Sequence, residues 1–273
     1  MTCRLLFSHL NRAVLTSLLL LLGASRAAPV PEPLPRGSEN PALNRFGASV
    51  VFYVGFDGHA LAEITTGSPV PRGNAAWKDA EQRQAATFEP GVHGQALLSS
   101  DFTLDYAVTG SVLRTTGSMA IWIKPRTLKH AHTYFLPAVL HAQTGGYQVL
   151  FGRMGVAANR ELLYAHLTRA KDRTTATLGS MKDWRLEAWH LLVAVWNRQG
   201  VGLSMDGAPP TWTTVQVPVA GDEAAGFRIS LLGVGEDTFV YDEMLLLNVA
   251  LTPEEIAWLH RQAKGLPGDS VRP

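Results

Sequence analysis

Residues 240–260 read VYDEMLLLNVALTPEEIAWLH. Val240, Tyr241 and the run Met244 to Leu247 are β-branched, aromatic or long apolar residues, the composition of a half- or fully buried strand. Five residues later Thr252, Pro253 and Glu255 spell a helix start, an N-cap hydroxyl followed by proline at the first helical position and a glutamate at the third. Ile256, Leu259 and Ala263 fall on one stripe, and Gly265 is placed to end the helix. A strand followed by a tight link and a short amphipathic helix describes the closing edge of a β domain. The strand also carries two adjacent acids, Asp242 and Glu243. A period of two sends neighbours on a strand to opposite faces. Val240, Asp242 and Met244 then share one side, and Tyr241, Glu243 and Leu245 the other, so the acids are expected to be split.

Working outward, the same strand chemistry recurs. SVVFYVGF (49–56) runs into Asp57-Gly58, a turn dipeptide. GSMAIWIKP (117–125), YQVLFGR (147–153) and ELLYAHLTR (161–169) follow. AWHLLVAVW (188–196), the polar NRQG and VGLSMDG (201–207) make a hairpin with a second turn at Asp206-Gly207. FRISLLGVG (227–235) and FVYDEMLLLNV (239–249) complete the set. Many short strands between Gly, Pro and Asn turns predict an all-β fold, a two-sheet antiparallel jelly-roll sandwich with one short C-terminal helix.

The ends read differently. Arg4 and Arg12 precede an apolar run from Ala13 to Leu22, and Ser25 and Ala27 fit a small-x-small cleavage pattern, so residues 1–27 are expected to be a signal peptide. The run is about half the roughly 20 residues of a spanning helix, and no membrane span is expected after cleavage. Residues 28–47 hold five prolines and read as an extended linker. The globular part is expected over 48–264, with 265–273 as a tail. The expected location is outside the cytoplasm: periplasmic, secreted or at the cell surface. The single cysteine, Cys3, lies in the leader, so the remaining chain has no disulfide and depends on its hydrophobic core. Loss of Arg4, Arg12 and Arg26 leaves 21 basic against 23 acidic residues, a balance near −2 that gives no reason to expect a nucleic acid as partner.

Five blocks carry a family resemblance: FYVGFDG (52–58), GVHGQALLSS (91–100), GSMAIWIKP, AWHLLVAVWNRQGVGLSMDG and VYDEMLLLNVALTPEEIAWL. In this order they resemble a laminin-G-like jelly-roll domain of the concanavalin A-like lectin and glucanase superfamily, over about residues 50 to 262. The resemblance implies two stacked antiparallel sheets with the first and last strands side by side. It implies no chemistry by itself, since one fold hosts many functions. It also suggests that Asp57, ending the first strand, and Asp242, on the last, approach each other where related domains often hold calcium. The alternative for Asp57 is a side-chain cap on its own turn; for Asp242 it is a pairing with an arginine or a strand-end amide.

Glycoside hydrolysis needs two carboxyl groups about 5 to 10 Å apart across a scissile bond. Glucanases of this superfamily place Glu, Asp and Glu at alternating strand positions, a pattern absent here, so no catalytic residue is assigned. His130, His132 and His141 lie in an expected long loop, and neither H-E-x-x-H nor a phosphate loop nor a nucleophile elbow occurs. His190 is expected on a sheet face, satisfied by a hydrogen bond. Trp122, Trp189 and Trp258 fall on core stripes, and for Trp196 one of the two faces of its strand has to be the core. Trp77, Trp184 and Trp212 lie in expected loops or turns, as stacking platforms for a ligand or as lids on the core. The functional expectation is a non-catalytic binding module for carbohydrate or another extracellular ligand. A structural or adhesion module for an extracellular protein partner stands beside it, and a glycan-cleaving hydrolase comes third.

Overall fold

β-branched and aromatic residues at alternate positions, separated by turn formers, set the architecture. The computed structural model describes residues 40–73, 87–98, 103–108, 116–127, 135–142, 147–156, 160–169, 172–180, 184–214, 227–232 and 238–263. In chain order come α1 (Pro41–Phe46), a 3-10 turn (Gly47–Ser49), β1 (Val50–Val54), β2 (Arg72–Gly73), β3 (Thr87–Pro90), β4 (Gln95–Leu98) and β5 (Thr103–Val108). Then follow β6 (Gly117–Thr127), β7 (Phe135–Ala142), β8 (Tyr147–Val156), β9 (Arg160–Arg169), β10 (Asp172–Ser180), β11 (His190–Asn197) and β12 (Gly200–Met205). The series closes with β13 (Thr211–Thr214), β14 (Phe227–Leu232), β15 (Thr238–Leu247) and α2 (Pro253–Gln262).

The strands form two antiparallel sheets. The first runs β13-β12-β11-β6-β15-β4-β3, with β1 also paired to β15; the second runs β10-β9-β8-β7-β14-β5-β2. The first and last strands are neighbours, with Val54 opposite Met244, as the family resemblance implied. Between the sheets lies one core in which Phe52, Ile121, Leu192, Trp196, Tyr241 and Leu246 of the first sheet meet Leu104, Tyr106, Val108 and Ala165 of the second. Phe52 and Tyr106 meet edge to face, ring centres 5.1 Å apart, and burying such rings is the largest item of hydrophobic stabilisation available to a chain without disulfides.

Three features differ from the sequence reading. β11 is buried on both faces: Leu192, Ala194 and Trp196 enter the inter-sheet core, while Leu191, Val193 and Val195 join an outer cluster with Ala42, Phe46, Tyr53, Leu245, Leu247, Ile256 and Leu259. The choice between two faces does not arise, because α1 and α2 cover the outer face of the first sheet. Second, the segment 28–47 is not linker throughout. The Asn40 side chain accepts from the Ala42 amide at 2.7 Å, Pro41 starts α1, and Ala42 and Phe46 are buried. The chain divides into Met1–Arg36 and Gly37–Pro273, which puts this helix with the sandwich. Third, His141 stands on β7 rather than in a long loop, whereas His130 and His132 lie outside the described residues. The C-terminal helix follows its sequence signals: Thr252 Oγ1 accepts from Glu255 N at 3.2 Å and Thr252 N donates to Glu255 at 2.8 Å.

Candidate functional site: an acidic clasp and an aromatic edge

The acids of the opening stretch do not separate. The register of β15 on β6 shifts between Asp242, opposite Trp122, and Leu245, opposite Ala120. Two residues of β15 face one of β6, which is a β-bulge, and Glu243 takes φ 52° there. The extra residue cancels the alternation, so both carboxylates point into the outer layer. The expected split is therefore corrected: a backbone irregularity overrides the period of two.

Each acid holds a different piece of chain. Asp242 Oδ2 accepts from the amides of Val92 (2.6 Å) and His93 (3.3 Å), and its Oδ1 accepts from Glu243 N at 3.0 Å. Glu243 accepts from the Tyr53 hydroxyl at 3.0 Å and from Asn40 Nδ2. Asp242 and Glu243 are 0% and 3% exposed, and among the described residues no salt bridge joins either to lysine or arginine. Burial, and then the neighbouring charge of Glu243, pushes the Asp242 carboxyl well above the usual range. Burial likewise raises Glu243, reinforced by Asp57 and Glu63, against the Tyr53 hydrogen bond that favours its ionised form. Tyr53 stays protonated, its phenol pushed up by burial and then by Glu243. The arrangement is a clasp: the bulge of β15 fastens α1 through Asn40 and the turn between β3 and β4 through Val92 and His93.

Asp57 reaches the same turn from the other side. It is exposed, and its Oδ1 accepts from Gln95 N at 2.7 Å. Asp57 and Asp242 thus converge on residues 92–95, each holding backbone amides. Among the described residues no group of three or more histidine, cysteine, aspartate or glutamate side chains is arranged to hold a metal ion.

The tryptophans divide by burial. Trp184 is buried and lies flat on His190, ring centres 4.2 Å apart and planes within 7°, with its Nε1 donating to Met205 Sδ at 2.9 Å. It covers the sheet end rather than presenting a face. Trp77 lies outside the described residues. Trp212, on the edge strand β13, is 44% exposed. It sits opposite Gly202 of β12, and a Cβ on Gly202 would stand 3.0 Å from its Cδ2 and 2.9 Å from Val195 Cγ2. Glycine leaves the floor clear, and the indole lies down over it.

Two further features bear on the site; the first is the hydrogen bond expected for His190, whose partner the sequence reading did not name. His190 Nδ1 pairs with Asp206 Oδ2 at 2.8 Å, and Asp206 Oδ1 accepts from Leu191 N at 2.9 Å, so the Asp-Gly turn also orients the histidine. The second is an ionic patch on the outer face: Glu89 bonds Lys124 at 2.6 Å and pairs with Arg126, which also pairs with Glu187, while Lys124 lies 4.8 Å from the Trp189 ring. Burial raises the Glu89 carboxyl, but hydrogen bonds from Lys124 and Arg126 outweigh it, so the group ends below the usual range. Lys124 and Arg126 alternate along GSMAIWIKPRT, which was the available signal for one shared face.

Fold and site together define a jelly-roll β-sandwich whose outer surface offers aromatic and charged side chains. A family model described as concanavalin A-like lectin/glucanases superfamily (Laminin_G_3) matches residues 101–257, and the chain belongs to that family. No curated protein matches the sequence. Among solved structures, the botulinum neurotoxin serotype D binding domain superposes with a TM-score of 0.56 at 10% identity, over 78% of this chain and 51% of that one. The serotype G receptor binding domain gives 0.54 at 9% identity over the same shares, 78% and 51%. This chain thus spans about half the length of those binding domains. Domain 4 of AbnA, a GH43 extracellular arabinanase from Geobacillus stearothermophilus solved with arabinotriose, gives 0.53 at 16% identity, over 78% of this chain and 98% of that one. At these identities the likeness is one of fold, and the neighbours are mostly binding domains. Among the described residues no helix is long and apolar enough to cross a membrane.

Proposed function

We propose that the protein is an exported, non-catalytic binding module whose ligand is a carbohydrate. The observation that carries this reading is Trp212, an indole 44% exposed and seated on a glycine floor at a sheet edge. A sugar ring stacks its C–H face on such a surface, and an aromatic fixed by the sheet loses little entropy on binding. The arabinotriose-bound domain of like fold supports the class of ligand. Asp242 and Glu243, though brought together, are buried and hydrogen-bonded to Asn40, Tyr53 and the turn at Val92, which supports binding rather than glycan cleavage. The test is a glycan array with the purified full chain and its Trp212→Ala variant. Binding of a defined glycan, lost at least tenfold in the variant, is the expected result; equal binding by both proteins removes Trp212 from the site.

A calcium ion belongs to the same proposal. Asp57 and Asp242 supply oxygen ligands around one turn, and backbone carbonyls and water would complete the shell. The supporting observation is that Asp57 and Asp242 converge on residues 92–95, with no lysine or arginine paired to Asp242 among the described residues. Calcium at millimolar concentration is expected to raise the melting temperature, and Asp57→Ala to remove the rise. An unchanged melting temperature in the parent protein would sink the idea.

A second reading, an adhesion module for an extracellular protein, is favoured by Leu186 and Val249, the other two large apolar residues exposed among those described. Capture of a defined protein partner, weakened by Leu186→Asp and not by Trp212→Ala, would support it.

A further inference from the structure

The Trp212 platform has a charged neighbour. β11 and β12 are joined at Arg198 and Gln199, both exposed, and the turn is held by Asn197 Oδ1, which accepts from Gln199 N at 2.8 Å and Gly200 N at 3.1 Å. Gly200 is paired with Thr214, two residues from Trp212, and a Cβ on Gly200 would stand 3.3 Å from Trp212 Cε3. The indole therefore spans Gly200 and Gly202, and its near end lies beside the turn that bears Arg198. Among the described residues no carboxylate pairs with Arg198. Arg126 of the same sheet is committed to Glu89 and Glu187, and Arg45 of α1 lies over the Trp258 ring at 4.4 Å. No acid lies in 195–204 or 207–214, and Arg198 is the one charged residue of these two segments.

We propose that this edge binds acidic sugars, with Trp212 stacking on the ring and the Arg198 guanidinium taking the sugar carboxylate. The inference rests on the carbohydrate reading and deepens it. A guanidinium offers two parallel N–H groups to a carboxylate, the geometry in which arginine exceeds lysine. An arginine on a fixed turn, with no carboxylate paired to it among the described residues, offers those donors, and a stacked ring fixes the sugar's orientation. Thr214 and Gln199, exposed beside the platform, supply the neutral polar contacts a hydroxylated ligand requires.

The test compares uronic-acid oligosaccharides with their carboxyl-reduced neutral counterparts, on the full chain, by calorimetry. Three proteins are used: the parent, Arg198→Gln and Trp212→Ala. The expected result is tighter binding of the acidic sugar by the parent. That preference should fall about tenfold in Arg198→Gln, and it should weaken as salt is raised. Trp212→Ala should lose both sugars. Equal affinity of the parent for acidic and neutral forms overturns the inference and leaves the carbohydrate reading standing. Binding of neither sugar by any of the three proteins overturns both. A preference that persists in Arg198→Gln also overturns it, since the selecting charge then lies elsewhere.

Discussion

Replacing Trp196 by alanine should lower folding stability by about 3–5 kcal/mol. The ring is fully buried in the inter-sheet core. It stands where β11 meets β6, opposite Gly117, whose missing side chain gives the indole its place. Alanine would leave a cavity between two sheets that cannot close together, because β11 is held on both sides by β6 and β12. Urea unfolding read by far-ultraviolet dichroism should show a lower midpoint with an unchanged slope. Trp196→Phe should cost less, since it keeps part of the ring. A loss under about 1 kcal/mol in the alanine variant would mean that the sheets can collapse onto each other.

The acid pair should make stability depend on pH. In chelator-containing buffer, so that no divalent ion compensates the charge, the folded protein should lose stability as pH rises above the ordinary carboxylate range. Both carboxyls are raised by burial and by neighbouring acids, whereas in the unfolded chain they titrate near the ordinary values of about 4. The folded state then holds protons that the unfolded state has released. The stabilising contribution is complete below the unfolded values and disappears as pH passes through the folded ones. His93 works in the opposite direction: burial disfavours its protonated ring, against the pull of Asp57, so its contribution grows with pH near neutrality. Comparison with Asp242→Asn separates the two, because asparagine keeps a carbonyl oxygen as acceptor for the Val92 amide and cannot ionise. Thermal midpoints measured at several pH values should show a flatter profile in the variant. Parallel profiles would show that the pair does not carry the effect.

Much of this molecule is written locally. The capping box at Thr252 to Glu255, the Asp206-Gly207 turn and the hairpin of β11 and β12 follow from residue types at fixed spacings, and each stands where expected. The Asn40-Pro41 start of α1 uses the same chemistry as Thr252-Pro253 and was legible in principle, but the surrounding prolines read more strongly as linker. The bulge was not legible. Glu243 carries none of the chemistry that favours φ near +50°, and only the pairing of β15 with β6, β4 and β1 around it imposes that conformation. The clasp therefore belongs to the tertiary structure, as does the second buried face of β11. Trp184 and Trp212 were both expected in loops or turns, yet Trp212 stands on strand β13, and nothing in TWTT or in KDWR tells the exposed Trp212 from the buried Trp184. The difference lies in Gly202 beneath one and His190 beneath the other.

The position of β15 also governs when the fold can exist. It is bonded to β1, β4 and β6, and its bulge holds Asn40 and the turn at Val92. Those partners precede it in the chain, and β15 is the last of the described strands to be synthesised. Until about residue 247 has emerged, the first sheet lacks a strand near its middle and α1 lacks its anchor. Long-range pairing of this kind makes folding of the first sheet slow. The local pairs β7-β8, β8-β9, β9-β10 and β11-β12 need no such partner, so the second sheet can assemble before the first is closed.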